Sequence, residues 1–441
     1  MGSYFKISLV TVAITLLLES STLEAHQSEV DNVGSKLELG RVGQRVSIPT
    51  HLKNSPSRWG QNEDVPSGPS SLYNGKNLPV NPPRWGLKEN VLSGSNLLHN
   101  DDLLVTGTSP TLIQKLVTDL NGAFALKELG PIHYFLGIEA FRDSTGLYLS
   151  QSKYISDLLY KVKMTGAKGC STPVAPRQTL SRSEGESMED PSIYRSTIGA
   201  LQYLTITRPD ISYIVSKLSQ FLQAPTVTHW KACKRVLRYL KDTITYGICF
   251  RPGNSRTLTL QGFTDADWAS CPDDRKSTGA YCMYLGSNLV SWSSKKQHVI
   301  ARSSTESEYR ALANAAAEMV WLKALLKEMN IPVQQPPIIW CDNIGAASLA
   351  ANPVYHARTK HIEIDVHFVR DMVLEKLIDI RYVPTQDQVA DVLTKGLSVE
   401  RFLKFRNKLK VVSSPFRLRG NVEPSVISDI QSFSEHEKGV S

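Results

Sequence analysis

Four acidic side chains stand out because each falls where a predicted element begins or ends. Asp265 closes an alternating stretch over 257–264, and Glu306 opens a long helical segment. Asp342 ends a short apolar run over 337–341, and Asp391 sits in a late helical turn. Carboxylate oxygens are the ligands that Mg²⁺ prefers, with Mn²⁺ as a substitute. Two such cations about 4 Å apart can hydrolyse a phosphodiester, one activating water and the other holding the leaving oxygen. Ligands delivered from two strand ends, a helix start and a late helix can meet at one edge of a sheet. Each also has a plainer reading. Glu306 lies three residues after Ser303 and fits a capping box. Asp342 before Asn343 fits an Asx turn, and Asp391 suits the start of a helix. The metal-ligand reading is taken for these four. Glu308 stands in the same relation to Thr305 and is read as a cap, and Asp267 as a supporting partner of Asp265 on one strand face.

The elements that must position these residues follow from periodicity. Alternation predicts strands over 257–264, 277–285 and 289–293. A helix follows over 303–329, with Leu312, Ala316, Val320 and Leu325 on its apolar face. Then come a short strand to Asp342, a helix over 359–374 packing through Ile362, Val366, Val369 and Val373, a strand over 378–383, and the helical turn 388–395. The order βββαβαβα predicts an α/β fold, a mixed sheet flanked by helices.

Upstream, 230–241 reads as an amphipathic helix. Trp230, Cys233, Val236, Leu237 and Leu240 share one face, and Lys231, Lys234, Arg235, Arg238 and Lys241 line another. A basic stripe is usually a solvated face; here it is read as a phosphate contact. Lys295 and Lys296, placed in a loop after Trp292, are expected to join it. His361 and His367 are six apart and do not share a helix face, and none of the six cysteines forms a Cys-x-x-Cys pair. Zinc is therefore not expected, and the thiols are read as reduced.

A chain of 441 residues with net charge +8 has room for two to four domains and permits an anionic partner. Lys6 precedes an apolar run over 7–18, and small polar residues follow to Ala25, the pattern of a secretory signal peptide and too short for a membrane span. Residues 26–96 are rich in Pro, Gly, Ser and Asn and are expected to be mostly disordered. They carry a repeat: Pro56, Arg58, Trp59, Gly60, Glu63, Val65, Ser67 and Gly68 recur as Pro82, Arg84, Trp85, Gly86, Glu89, Val91, Ser93 and Gly94. Behind a signal-like segment, that layout resembles a precursor of small secreted peptides. The segment 171–192 reads as a linker, and 411–441 as a flexible tail.

Residues 129–138 (Leu-Gly-Pro-Ile-His-Tyr-Phe-Leu-Gly-Ile), 194–204 (Tyr-Arg-Ser-Thr-Ile-Gly-Ala-Leu-Gln-Tyr-Leu) and Thr207-Arg208-Pro209-Asp210-Ile211 closely resemble the reverse transcriptase of copia-type LTR retrotransposons. The motifs around Asp265, Glu306, Asp342 and Asp391 resemble the ribonuclease H of the same family, whose Asp-Glu-Asp-Asp set holds two Mg²⁺. The resemblance implies a ribonuclease H-like five-stranded mixed sheet over 255–410 that cuts the RNA strand of RNA–DNA hybrids, and a partial palm and thumb over 97–250. Asp101 and Asp102 match the family's Tyr-x-Asp-Asp hairpin, with His99 at the aromatic position. The fingers and first palm half have no counterpart before them, so a complete polymerase site is not expected. No histidine lies between Pro384 and Asp391, where some ribonucleases H carry a mobile one. Two alternatives stand beside an active nuclease: a silent retroelement remnant, and a secreted-peptide precursor joined to retroelement sequence. The signal-like start implies secretory entry, whereas the nuclease implies cytoplasm or nucleus.

Overall fold

The computed structural model describes residues 44–47, 102–105, 109–123, 127–176, 178–252, 258–351 and 362–415. The signal-like segment, the Trp-Gly repeats, Asp101 and His361 lie outside them. The described chain divides into two compact units.

The smaller unit holds β1 (Gln44–Ser47), β2 (Asp102–Val105), α1 (Pro110–Ala123) and β3 (Lys127–Pro131). The three strands are antiparallel in the order β2-β1-β3. Strand β1 falls within 26–96, the tract expected to be mostly disordered. Four residues give no reliable alternation, but a central position pairs their backbone on both sides. Asp102 begins β2.

The larger unit runs from Ile132 onward. Its first sheet contains β4 (Tyr134–Phe135), β5 (Ile138–Asp143), β6 (Gly146–Ser150) and β7 (Tyr246–Phe250). Strand β13 (Val411–Ser413) joins its edge, giving the antiparallel order β13-β7-β6-β5-β4. The start of the expected tail is thus a paired strand. Helices α2 (Ser152–Lys161), α3 (Pro191–Leu204), α4 (Ser212–Leu218) and α5 (Val227–Asp242) accompany this sheet. Asp190 caps α3 by accepting from the Ser192 N–H at 2.8 Å, and Pro191 follows at the first helical position, where its missing N–H is harmless. Helix α5 opens with a reciprocal cap between Thr226 and His229.

The Thr-Arg-Pro-Asp motif becomes a buried ion pair. Arg208, with no exposed surface, donates to Asp210 at 3.0 and 2.8 Å and to the Thr243 carbonyl at 2.9 Å. The Tyr239 hydroxyl donates to Asp210 at 2.6 Å. The pair ties the turn after α3 to the end of α5.

The second sheet contains β8 (Leu260–Asp267), β9 (Thr278–Leu285), β10 (Asn288–Lys296), β11 (Ile338–Cys341) and β12 (Asp379–Tyr382), in the order β10-β9-β8-β11-β12. Strands β8, β9 and β10 form an antiparallel meander, and β11 runs parallel to both β8 and β12. With α6 (Ser304–Glu328), α8 (Glu363–Leu374) and α9 (Val399–Lys408), this is the expected mixed α/β layout. Helix α7 (Ile344–Ala351) was not expected, because its run of small residues shows no amphipathic period. No helix among the described residues is long and apolar enough to cross a membrane.

Period-two alternation gives this sheet two covered faces. Met283 and Ile339 pack with Leu312, Ala316 and Met319 of α6 and Val366 and Val369 of α8. Ala280, Cys282, Tyr284 and Leu289 join a core with Leu201, Leu204, Val215, Leu218, Val236 and Leu240 from α3, α4 and α5. A domain boundary at 250–255 therefore does not separate two cores. Segment 171–192 is likewise packed, with Val174 and Leu180 buried in the same core.

Candidate active site

Register places the acidic residues. Thr264 of β8 faces Cys341 of the parallel strand β11, so Asp265 and Asp342, one residue further on, emerge side by side. The short 3-10 turn Val389–Leu393 brings Asp391 beside them. One ligand oxygen from each of Asp265, Asp342 and Asp391 lies within 4.8 Å of the others. Asp265 and Asp391 are buried and Asp342 half-buried.

Glu306 does not join them. One of its oxygens accepts from the Arg302 N–H at 2.7 Å, and the other pairs with Arg310 at 2.7 Å. With Ser303 accepting from its own N–H at 3.2 Å, Glu306 closes the N-terminus of α6. Glu308 faces the cluster instead. Two residues on a helix are about 200° of rotation, nearly the opposite face. Burial, and then the carboxylates of Asp265 and Asp342, push the Glu308 pKa up to about 9. Its Oε2 is buried with no hydrogen-bond partner among the described residues. The sequence did carry a signal: Glu308, Leu312 and Ala316 are spaced four apart on the apolar stripe, whereas Glu306 aligns with Arg310 and Asn314.

Like charges and burial raise the other acids too. Burial and then Asp265 raise Asp342, and the same two causes take Asp391 up to about 7. Burial, opposed by Lys395 and then reinforced by Asp265, raises Asp267 at the end of β8. Two cations unforeseen from sequence offset the repulsion. Lys395 pairs with Asp391 at 2.8 Å and Asp265 at 3.5 Å, and Arg401 of α9 pairs with Asp391. Burial works against the Lys395 charge, but Asp265 and Asp391 outweigh it and hold its pKa above the ordinary lysine value. Hydroxyls fix the acids: Thr385 donates to Asp342 at 3.0 Å, and Thr394 donates to Asp265. Clustered carboxylates with an orphaned buried oxygen suit a hard divalent cation.

Most of the expected phosphate-binding cations are occupied elsewhere. On α5, Arg235 donates to Thr172 at 2.9 Å, Arg238 to the Lys168 carbonyl at 2.7 Å, and Lys241 to the Ala167 carbonyl at 2.7 Å. Lys234 lies over the Trp230 ring. The stripe thus pins the 167–172 loop, because a carbonyl-rich loop crossing a basic helix face is held by donors. Lys296 ends β10 rather than standing in a loop, and pairs with Asp274 at 2.8 Å. Lys231 and Lys295 are exposed, with no hydrogen bond or ion pair among the described residues.

A meander followed by two parallel strands, with carboxylates at the ends of the two central ones, defines a ribonuclease H-like fold. The comparisons with known proteins agree on its origin. Residues 89–176 match the family model described as reverse transcriptase (RNA-dependent DNA polymerase). The chain is 50% identical over 315 residues to the retrovirus-related Pol polyprotein from transposon RE1 of Arabidopsis thaliana, covering 71% of this chain and 21% of that protein. It is 48% identical over 224 residues to an uncharacterized mitochondrial protein of Arabidopsis thaliana, covering 51% of this chain and 92% of that one. It is 35% identical over 222 residues to a putative transposon Ty5-1 protein of Saccharomyces cerevisiae, covering 50% of this chain and 71% of that one. The chain belongs to the copia-type retrotransposon Pol polyprotein family, and spans about a fifth of the RE1 polyprotein's length.

Proposed function

We propose that this chain hydrolyses the RNA strand of RNA–DNA hybrids in a Mg²⁺-dependent reaction. The observation that carries the reading is the convergence of Asp265, Asp342 and Asp391, with Glu308 facing them, at the end of two parallel strands. Two divalent ions bound there would supply an activated water and charge neutralisation at the leaving oxygen. Asp265 sits centrally, since it raises the pKa of Glu308, Asp342 and Asp391 alike. Thr394, Thr385 and Gln388 orient the acids: Gln388 donates to the Thr264 carbonyl at 2.9 Å and so braces the strand end from which Asp265 projects. Arg401 and Lys395 hold Asp391, and Lys395 bridges it to Asp265.

The test uses the full chain, Mg²⁺ and a hybrid labelled on its RNA strand. Cleavage is expected in the hybrid and not in the matching DNA duplex, because the 2′-hydroxyl and the heteroduplex shape distinguish them. Asp265→Asn is expected to abolish it. Cleavage by that variant at the wild-type rate would place the chemistry elsewhere.

A further inference from the structure

A chain of contacts leads from the buried Arg208–Asp210 pair to the acid cluster. Burying two opposite charges contributes little net stability, because desolvation offsets their attraction, but it holds the groups around them in one arrangement. The group held here is Tyr239 of α5. Its hydroxyl donates to Asp210 at 2.6 Å, and the Arg208 guanidinium lies over its ring, 5.4 Å from the centre. Tyr239 has no exposed surface. It meets α9 twice. The Phe402 ring packs edge-on against it, with centroids 5.6 Å apart and planes at 80°. One turn further along α9, Arg406 donates to the Tyr239 hydroxyl at 3.5 Å. Residues four apart share one face of a helix, so the two contacts set both the position and the rotation of α9. Arg401 stands next to Phe402, and its direction follows from that rotation. Its guanidinium donates to the Asp391 carboxylate and to the Thr385 carbonyl. Thr385 in turn donates to Asp342 at 3.0 Å. One guanidinium thus aligns Asp391 directly and Asp342 through Thr385. The turn that carries Asp391 leans on the same upstream elements: Ala390 and Val392 share a core with Ile211, which follows Asp210, and with Ile214 of α4.

We infer that Tyr239, braced by Arg208 and Asp210, is a positioning residue of the carboxylate site: it holds α9 so that Arg401 keeps Asp391 and Asp342 in the arrangement a divalent cation needs. The inference rests on the reading of those acids as metal ligands. It gives the Thr-Arg-Pro-Asp motif a part in the nuclease chemistry, although the motif lies outside the ribonuclease H-like sheet.

The test reads Mn²⁺ binding to the full chain from the loss of the free ion's electron paramagnetic resonance signal, at a temperature where melting shows each variant folded. Tyr239→Leu is expected to weaken binding about tenfold, as loss of an outer partner of a metal ligand does. Phe402→Leu removes the ring on the α9 side of the same contact and is expected to act alike, so the test survives if Tyr239→Leu does not fold. In an Arg401→Gln background, Tyr239→Leu is expected to change the affinity little, because its effect runs through Arg401. Leu326→Ala, in the separate core under α6, is the control for stability alone: it lowers the Tm and is expected to leave Mn²⁺ binding as in the wild type. Wild-type affinity in both Tyr239→Leu and Phe402→Leu overturns the proposal. So does a tenfold loss that persists beside Arg401→Gln, or one that Leu326→Ala matches. If the wild type binds Mn²⁺ but leaves hybrids uncut, the nuclease reading falls, and the positioning role is still decided by the variants. A wild type that binds no Mn²⁺ removes both.

Discussion

Exchanging Glu306 and Glu308 in turn offers a direct test of which acid belongs to the cluster. In the metal-free protein, burial and the carboxylates of Asp265 and Asp342 push the Glu308 pKa up to about 9, whereas in the unfolded chain it lies in the ordinary glutamate range. Between pH 7 and 9 the folded state therefore holds the extra proton, and stability falls as pH rises through that window. Two pH units at about 1.4 kcal/mol each make the fall about 3 kcal/mol. Glu308→Gln keeps the shape and cannot ionise, so its stability curve in EDTA should be flatter by that amount. Adding Mg²⁺ should stabilise the wild type, because a ligand that binds only the folded state raises its stability. The same addition should do much less for Glu308→Gln. Glu306→Gln should behave differently: loss of a helix-end contact costs about 1 kcal/mol, with the pH dependence and the Mg²⁺ effect intact. Urea denaturation at several pH values, with EDTA or Mg²⁺, reads all of this. Parallel pH curves for wild type and Glu308→Gln, or a Mg²⁺ effect lost in Glu306→Gln alone, would refute the assignment of Glu308.

Two further outcomes follow from the shared core. Arg208→Met leaves Asp210 buried without its counterion and should destabilise the chain by about 3–5 kcal/mol in urea; adding Asp210→Leu should recover much of that loss. A fragment beginning at residue 258 should bind a hydrophobic dye and melt without cooperativity, because Ala280, Cys282, Tyr284 and Leu289 lose their covering helices. A fragment beginning at residue 132 should melt in one transition, and equal cooperativity in both would argue that the sheet folds alone.

The sequence by itself determined a good deal. Alternation located the strand that ends at Asp265 and a short apolar run the one that ends at Asp342, and helical periodicity located α5, α6 and α8, because long elements repeat their apolar pattern often enough to be read. The motif around Asp391 marked a helical turn, and the structure has a 3-10 turn there. Family motifs outside residues 255–410 were legible too, although not their purpose. Arg208 and Asp210 read as a retroelement signature, and only the fold shows them as a buried pair.

What tertiary structure alone decided concerns direction and company. Glu306 and Glu308 carry the same chemical group two residues apart, and a capping pattern fits either of them. Only the packing of α6 against β8 turns Glu308 toward Asp265 and leaves Glu306 to Arg302 and Arg310. The cations of α5 had the spacing of a phosphate-binding stripe, but the 167–172 loop occupies three of them. Lys395 and Arg401 were silent in sequence because their partners lie on β8 and the 389–393 turn. Local sequence sets where a side chain can point. Which neighbour meets it depends on contacts between residues far apart in the chain, such as Asp265 and Lys395, and those exist only once the sheet and helices have packed together.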